Sequence, residues 1–108
     1  FYHGFVLGLI AELSGRYIIT SNRESGLGRY DVLLEPKRPV DDAIIMEFKV
    51  RNIKREESLE DTVQTALTQI KEKCYDAELY DRGLKKEEIH HYGFAFEGKK
   101  VRIGSKGK

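Results

Sequence analysis

The chain has 108 residues, is 40% hydrophobic and 34% charged, and carries a formal net charge of +1. This length and composition predict one globular domain, and no apolar stretch approaches the roughly 20 residues that cross a membrane. The near-neutral charge lacks the basic excess typical of nucleic-acid-binding proteins, but it does not exclude that function. The single cysteine, Cys74, excludes an internal disulfide and suits a cytoplasmic location.

The hydrophobic pattern predicts two long helices and five strands. Apolar residues recur every three or four positions in the helices, and they alternate or run uninterrupted in the strands. Ser58 is a candidate N-cap for the second helix, whose apolar face includes Cys74, expected as a small buried hydrophobe. In chain order the predicted elements are a helix over 2–14, strands over 16–20, 29–34 and 43–50, a helix over 59–75, and strands over 89–97 and 101–103.

The connecting segments are polar or rich in turn-forming residues. They comprise a turn over 22–28, a loop that holds Pro36 and Pro39, a charged connection over 51–57, a short helical piece to Tyr80 that ends near Gly83, and a frayed tail over 104–108. The fold class predicted is α/β with a mixed sheet, in the order α-β-β-β-α-β with an extra C-terminal strand. The second helix would form a right-handed crossover. Because the sequence lacks an initiator Met, we expect residues 1–108 to be a single domain from a longer chain.

Two charged residues interrupt the apolar third strand, which reads Ala-Ile-Ile-Met-Glu-Phe-Lys-Val. Glu47 and Lys49 lie two positions apart, so their side chains leave the same face of the strand while Phe48 leaves the other. Burying these charges is costly unless they are paired or bind an ion. One interpretation is therefore a buried Glu47–Lys49 ion pair, with Asp31 making only a turn contact. The other is a metal site.

Asp31 on the second strand completes the candidate metal site. If the second and third strands are neighbours, Asp31 and Glu47 meet across the sheet and offer oxygen ligands to Mg²⁺ or Mn²⁺, with the carbonyl of Phe48 as a further ligand. Metal-bound water becomes more acidic, and Lys49 would orient it or assist its deprotonation. A phosphodiester suits such a site, because the metal and the lysine offset charge on the phosphoryl oxygens.

Basic residues near this site are candidates for contacts with nucleic-acid phosphates. Arg23 and Arg29 flank the turn before Asp31, and the alternative for each is an ion pair with Glu24 or another surface carboxylate. Lys73 is a third candidate, although the lysines of this region form no stripe and are otherwise expected on a solvated face.

Asp31 followed by Glu47-x-Lys49 resembles the signature of the PD-(D/E)XK nuclease superfamily, and the predicted order of elements resembles its restriction-endonuclease-like core. The resemblance implies Mg²⁺- or Mn²⁺-dependent hydrolysis of DNA. Gly28-x-x-Asp31 further resembles the RecB-like branch, in which a helix carries a glutamine and a tyrosine four residues later. Gln69 matches that glutamine and is implied to position water or phosphate. Lys73 stands at the place of the tyrosine, and Tyr75 lies two residues further.

The RecB-like resemblance also implies that His3, on the first helix, ligates a metal; a hydrogen bond at the helix end is the alternative. The segments Ser21-Asn-Arg-Glu-Ser-Gly and Gln69-Ile-x-x-Lys-x-Tyr75 resemble uncharacterised bacterial PD-(D/E)XK domains that follow an AAA-ATPase-like domain. This resemblance implies such a domain as a partner in the full-length protein. A catalytically silent module that binds nucleic acid or a partner remains an alternative to a nuclease, and a homodimer is a further possibility for this fold.

Overall fold

The computed structural model describes residues 2–24 and 29–105. It shows a mixed α+β fold with one five-stranded mixed sheet, which confirms the predicted fold class at that level. The elements are α1 (Tyr2–Leu13), β1 (Tyr17–Glu24), β2 (Arg29–Pro36), β3 (Ala43–Val50), α2 (Leu59–Lys73), α3 (Asp76–Asp81), a 3₁₀ turn (Lys86–Glu88), β4 (Ile89–Glu97) and β5 (Lys100–Ser105). None of the described helices is long and apolar enough to span a membrane.

The sheet has the strand order β1-β2-β3-β4-β5. All neighbouring strands are antiparallel except β3 and β4, which are parallel and are connected through α2, α3 and the 3₁₀ turn. β3 is therefore the central strand, with hydrogen-bonded neighbours on both sides. This position explains why its sequence is so apolar, since both of its faces are covered.

The bounds of β3 and β4 match the prediction, whereas the two edge strands are longer than predicted. β1 continues through residues 21–24, although the sequence predicts a turn from residue 22, because it pairs with β2 along its whole length. β5 includes Gly104 and Ser105, predicted to fray, because they pair with β4. Pairing with a neighbour supplies hydrogen bonds that the propensity of either strand alone does not reveal. Pro36 correspondingly closes β2 instead of lying in the following loop.

Each face of the sheet is covered by a different helix. On one face, Val6 of α1 packs against the side chains of Val32, Leu34, Met46, Phe48, Phe94 and Phe96. On the other face, α2 packs through Val63, Leu67 and Ile70 against Leu33, Ala43, Ile45 and Ala95. Because strand side chains alternate between faces, Asp31 and Glu47 lie on the α2 face, whereas Phe48 belongs to the α1 face.

Two glycines allow α2 to lie directly on the sheet. A Cβ on Gly93 of β4 would come within 2.9 Å of the backbone oxygen of Val63, and a Cβ on Gly104 of β5 within 2.6 Å of the Val63 Cγ1. Both contacts are closer than real Cβ atoms tolerate. The absence of side chains at these positions therefore determines how closely α2 approaches the face that carries Asp31 and Glu47.

The ends of α2 are defined by specific residues. The Ser58 hydroxyl accepts a hydrogen bond from the Asp61 amide, as expected for an N-cap. At the other end Cys74 has a φ of 56°, in the left-handed region, so the helix stops at Lys73 instead of reaching Tyr75. The prediction that Cys74 is buried is wrong: it is exposed, because this backbone conformation removes it from the apolar face of the helix.

Candidate active site

The register between β2 and β3 places Asp31 directly opposite Glu47. Asp31 is 3% exposed and Glu47 is fully buried. Two carboxylates in such a position repel each other and have lost most of their hydration, which is unfavourable unless a proton or a cation lies between them. The pair therefore needs a shared proton or a nearby cation.

Three oxygens of this pair accept no hydrogen bond from other described residues, namely Oδ1 of Asp31 and both carboxylate oxygens of Glu47, although the two carboxyl groups lie close enough to share a proton. Burial, followed by the nearby Asp31 carboxylate, raises the pKa of Glu47 to about 9. Burial also acts to raise the pKa of Asp31, but Glu47 and Lys73 outweigh it and hold that pKa below its ordinary value. At neutral pH the pair therefore carries one proton, on Glu47, and one negative charge, on Asp31.

Lys73 and Tyr75 approach the pair from the C-terminal end of α2. Lys73 Nζ lies 2.6 Å from Asp31 Oδ2 and 3.8 Å from Glu47 Oε1. The Tyr75 hydroxyl donates to the same Asp31 oxygen at 3.1 Å, and burial together with the Asp31 charge raises its pKa. The left-handed residue Cys74 turns the chain so that the residues on both sides of it reach Asp31.

Lys49 forms an ion pair with Glu56 and not with Asp31 or Glu47. Its Nζ donates to Glu56 Oε2 at 2.8 Å, and this is its ion pair within the described part of the chain. The other Glu56 oxygen accepts hydrogen bonds from the Asn52 amide at 2.7 Å and from the Thr62 hydroxyl at 2.9 Å. The interpretation of a Glu47–Lys49 ion pair is therefore wrong.

Glu56 was not identified from the sequence, where it lies in the charged connection before α2. It is 7% exposed. Burial acts to raise its pKa, but the hydrogen bonds from Lys49, Asn52 and Thr62 outweigh this and lower the pKa below its ordinary value. No local pattern marks it, because its neighbours are Arg55 and Glu57 and such a run reads as solvated. Tyr75 lies six residues after Gln69, so helical spacing alone does not bring it to the site.

A cavity of about 480 Å³ is lined by residues close in sequence to the carboxylate pair, although Asp31 and Glu47 do not themselves line it. Arg29 and Lys49, each two residues from one of the carboxylates, lie opposite each other in the register and line it. Gln69 of α2 lines the same cavity and makes no side-chain hydrogen bond within residues 2–24 and 29–105. Three of the predicted functional residues, Arg29, Lys49 and Gln69, thus line a common cavity.

Three remaining predictions are not tested by this geometry. His3 belongs to α1, which packs on the sheet face opposite to Asp31 and Glu47, and its side chain lies outside the described residues. Arg23 pairs through its backbone with Tyr30, and its side chain is likewise not described. The Phe48 carbonyl belongs to a strand flanked on both sides, and its role as a ligand stays a prediction.

The residues present fit a divalent cation with a preference for oxygen ligands. Within the described ranges no cluster of three or more acidic, histidine or cysteine side chains is assembled, so Asp31 and Glu47 are the donor set. Their three unpartnered buried oxygens supply the hard ligands that Mg²⁺ and Mn²⁺ prefer, with water and substrate phosphate completing the coordination. A cation here would also favour the charged form of Glu47 and so lower its pKa, which burial and the Asp31 carboxylate raise.

A comparison with protein families matches the chain to a known superfamily. The sequence model of the PD-(D/E)XK nuclease superfamily matches residues 1–106. The chain belongs to this superfamily. A search of curated proteins and a search of solved structures each found no match. Members of the PD-(D/E)XK superfamily usually use divalent metals, which agrees with the fit of the Asp31–Glu47 pair.

The sequence predicts that Asp31 and Glu47 occupy the two acidic positions of the PD-(D/E)XK signature and that Lys49 occupies its lysine position. The structure brings the two acidic residues together, but it directs the signature lysine to Glu56. The ammonium group that contacts the acidic pair belongs to Lys73 instead. This exchange of lysines distinguishes the site from the arrangement that the signature predicts.

Proposed function

We propose that this protein is a divalent-metal-dependent nuclease that hydrolyses DNA phosphodiester bonds. The observation that carries the proposal is the pair of opposed, buried and incompletely bonded carboxylates, Asp31 and Glu47, in a chain of the PD-(D/E)XK nuclease superfamily. A buried acidic pair of this kind destabilises a fold and is retained where it binds a cation.

Asp31 and Glu47 would hold Mg²⁺ or Mn²⁺ through their unpartnered oxygens. When bound, the ion acidifies a water molecule and offsets the charge that develops on the phosphoryl oxygens. Glu47 releases its proton when it becomes a ligand. The Gln69 amide, without a hydrogen bond to the described residues, orients water or phosphate from the α2 side, and Tyr75 holds Asp31 Oδ2 in position.

The basic cavity beside the pair supports a polyanionic substrate. Arg29 and Lys49 line it next to the acidic pair, so positive groups are available where a phosphate would approach. The overall charge of +1 arises because acidic residues elsewhere balance this local excess. DNA as the substrate, an AAA-ATPase-like domain in the same full-length protein, and a cytoplasmic location remain proposals that rest on sequence resemblance and composition.

The direct test is cleavage of supercoiled plasmid and of single-stranded DNA in Mg²⁺ or Mn²⁺, with EDTA as the metal-free control. We expect cleavage to fall by about a hundredfold or more in Asp31→Asn and in Glu47→Gln, because each removes a charged ligand. Asp42→Asn is the matched control, since Asp42 lies near the opposite end of β3 and contacts His90. Equal cleavage by all three variants would place the activity elsewhere, in a contaminant or another site.

A catalytically silent module is the second candidate, and one observation favours it. Lys73 already neutralises Asp31, and Lys49 is paired with Glu56, so the acidic pair and the signature lysine both have intramolecular partners. A wild-type protein that shifts DNA in a gel but cleaves no form of it in Mn²⁺, together with an undiminished shift for Asp31→Ala, would favour this candidate over the nuclease.

A further inference from the structure

The cavity near the acidic pair is lined mainly by basic and polar side chains. It has a volume of about 480 Å³ and is lined by side chains from β2, β3, α2 and the β3–α2 connection. Its polar lining consists chiefly of Arg29, Lys49, Asn52, Arg55, Thr65 and Gln69. This size falls in the range of small-ligand sites, and the lining is rich in hydrogen-bond donors.

Arg29 is the residue that marks this cavity as a binding site. Its Nε is buried and has no hydrogen-bond partner among the described residues. A buried nitrogen with an unpaired N–H is unfavourable, since it has lost water without gaining an acceptor. The Arg29 side chain, which lines the cavity, is thus incompletely satisfied by the described residues.

The charge of the lining selects an anion. Arg29, Lys49 and Arg55 are cationic, and Glu56 is the one acidic residue in the lining. Both Glu56 oxygens are already engaged, by Lys49 on one side and by Asn52 and Thr62 on the other. Arg55 is exposed and forms no ion pair within the described part of the chain. Glu56 thus holds Lys49 in place while a positive excess remains.

The two basic residues on the strands lie a fixed distance from the acidic pair. Arg29 and Asp31 are two residues apart on β2, and Lys49 and Glu47 are two apart on β3, all on the α2 face. Two strand residues span about 7 Å. That distance is of the order of the separation between neighbouring phosphates along an extended nucleic-acid strand.

We propose that this cavity is a subsite for the phosphate that neighbours the scissile phosphate in a polynucleotide strand. Arg29 binds that phosphate through its fork of donors, Lys49 contributes its charge from the position that Glu56 holds, and Arg55 covers the open side. The role of the strand as a substrate rests on the proposed nuclease function, but binding at the subsite does not require cleavage.

The test measures binding without catalysis. A fluorescently labelled single-stranded oligodeoxynucleotide is titrated with protein in EDTA, and anisotropy gives the affinity at several salt concentrations. We expect Arg29→Met and Arg55→Met each to weaken binding about fivefold to tenfold and to lower the salt slope by about 0.7. Arg82→Met is the matched control, because Arg82 pairs with Glu35 away from this cavity, and we expect it to bind as the wild type does.

The outcomes separate this proposal from the nuclease proposal. Unchanged affinity in both Arg29→Met and Arg55→Met would overturn the subsite, whatever the wild type cleaves. Weakened binding in both variants would support the subsite even if wild-type protein shows no metal-dependent cleavage, a result that would sink the nuclease proposal alone. Because Arg55 is exposed, its variant tests the subsite even if Arg29→Met fails to fold, as circular dichroism would show.

A competition experiment identifies the source of the phosphate. Unlabelled oligonucleotide is expected to displace the probe at far lower concentrations than inorganic phosphate does, because a strand engages the subsite and its surroundings together. Displacement by inorganic phosphate at concentrations comparable with those of the oligonucleotide would indicate a site for free phosphate and would overturn the proposal.

Discussion

At the scale of single residues, Glu47 has a strongly raised pKa. It is fully buried, faces Asp31, and has a pKa of about 9 instead of the ordinary 4.5. Between these two values the folded protein retains a proton that the unfolded chain releases. Raising the pH across this window therefore favours the unfolded chain, and the metal-free protein should lose stability as the pH rises.

Glu47→Gln is expected to remove this dependence, because the amide has a similar shape and does not ionise. The variant should match the wild type near pH 5 and exceed its free energy of unfolding by a few kcal/mol near pH 8. The limit for one group is about 1.4 kcal/mol per pH unit. Urea denaturation in EDTA at a series of pH values measures the difference, with the exposed Glu87→Gln as control. Parallel pH profiles for wild type and Glu47→Gln would contradict the prediction.

Lys73 is the second residue whose position affects cation binding at the acidic pair. Its ammonium group lies against Asp31 and near Glu47, so it opposes the binding of another cation to the same oxygens. Lys73→Met is therefore expected to tighten Mn²⁺ binding about tenfold, a change of about 1.4 kcal/mol. Isothermal titration calorimetry measures the affinity directly. Lys71→Met, the same charge change at an exposed position of α2, should leave it unchanged. Weaker binding by Lys73→Met would instead show that this lysine supports the metal site.

At the scale of elements, the site depends on how closely α2 approaches the sheet. α2 carries Gln69 and Lys73, and it passes over β4 and β5 at the two glycine positions. A small displacement of this helix would move both side chains relative to Asp31 and Glu47, which belong to the sheet. The packing of α2 thus determines the geometry of the site as much as the acidic residues do.

Gly93→Ala is expected to destabilise the protein by about 1–3 kcal/mol, because its Cβ would meet the backbone oxygen of Val63 at 2.9 Å and this oxygen cannot rotate away. Thermal or urea denaturation measures the loss. Gly15→Ala is the matched control, since no heavy atom lies within 4 Å of its Cβ position, and we expect a change within about 0.5 kcal/mol. Equal stability of the two variants would show that α2 can shift without cost.

At the scale of the whole molecule, cation binding should be coupled to folding. Asp31 and Glu47 belong to different strands, so they form a binding site only when the sheet is assembled. A ligand that binds only the folded state stabilises it by RT ln(1 + [L]/Kd), which is about 1.4 kcal/mol at tenfold the Kd. The protein is therefore expected to be most stable with a divalent cation present.

Mn²⁺ should raise the melting temperature by several degrees for a domain of this size, and EDTA should reverse the change. Differential scanning calorimetry measures the shift. In Asp31→Asn the shift should disappear, because one of the two acidic ligands is lost, whereas Asp42→Asn should retain it. An equal Mn²⁺-dependent shift in Asp31→Asn would place the stabilising cation at another site.

The central part of the fold could be predicted from the sequence, because it depends on local hydrophobic patterns. The third strand was predicted with its observed bounds because eight mostly apolar residues need both faces covered, and the two-residue period placed Glu47 and Phe48 on opposite faces. The opposition of Asp31 and Glu47 followed once the two strands were neighbours. The length of β1 was not predictable in this way, since its last residues extend because β2 is there to pair with them.

The partners of the two lysines were beyond the reach of sequence patterns. Lys73 contacts a carboxylate 42 residues away, and it does so because the left-handed turn at Cys74 ends α2 above the sheet. Lys49 is only seven residues from Glu56, yet their pairing depends on the fold of the β3–α2 connection, in which Glu56 also accepts a hydrogen bond from Thr62. The period of a strand settles which face a side chain leaves, because it follows from local backbone geometry. Which lysine pairs with which carboxylate depends on the packing of α2 on the sheet, since charges interact through space and not along the chain.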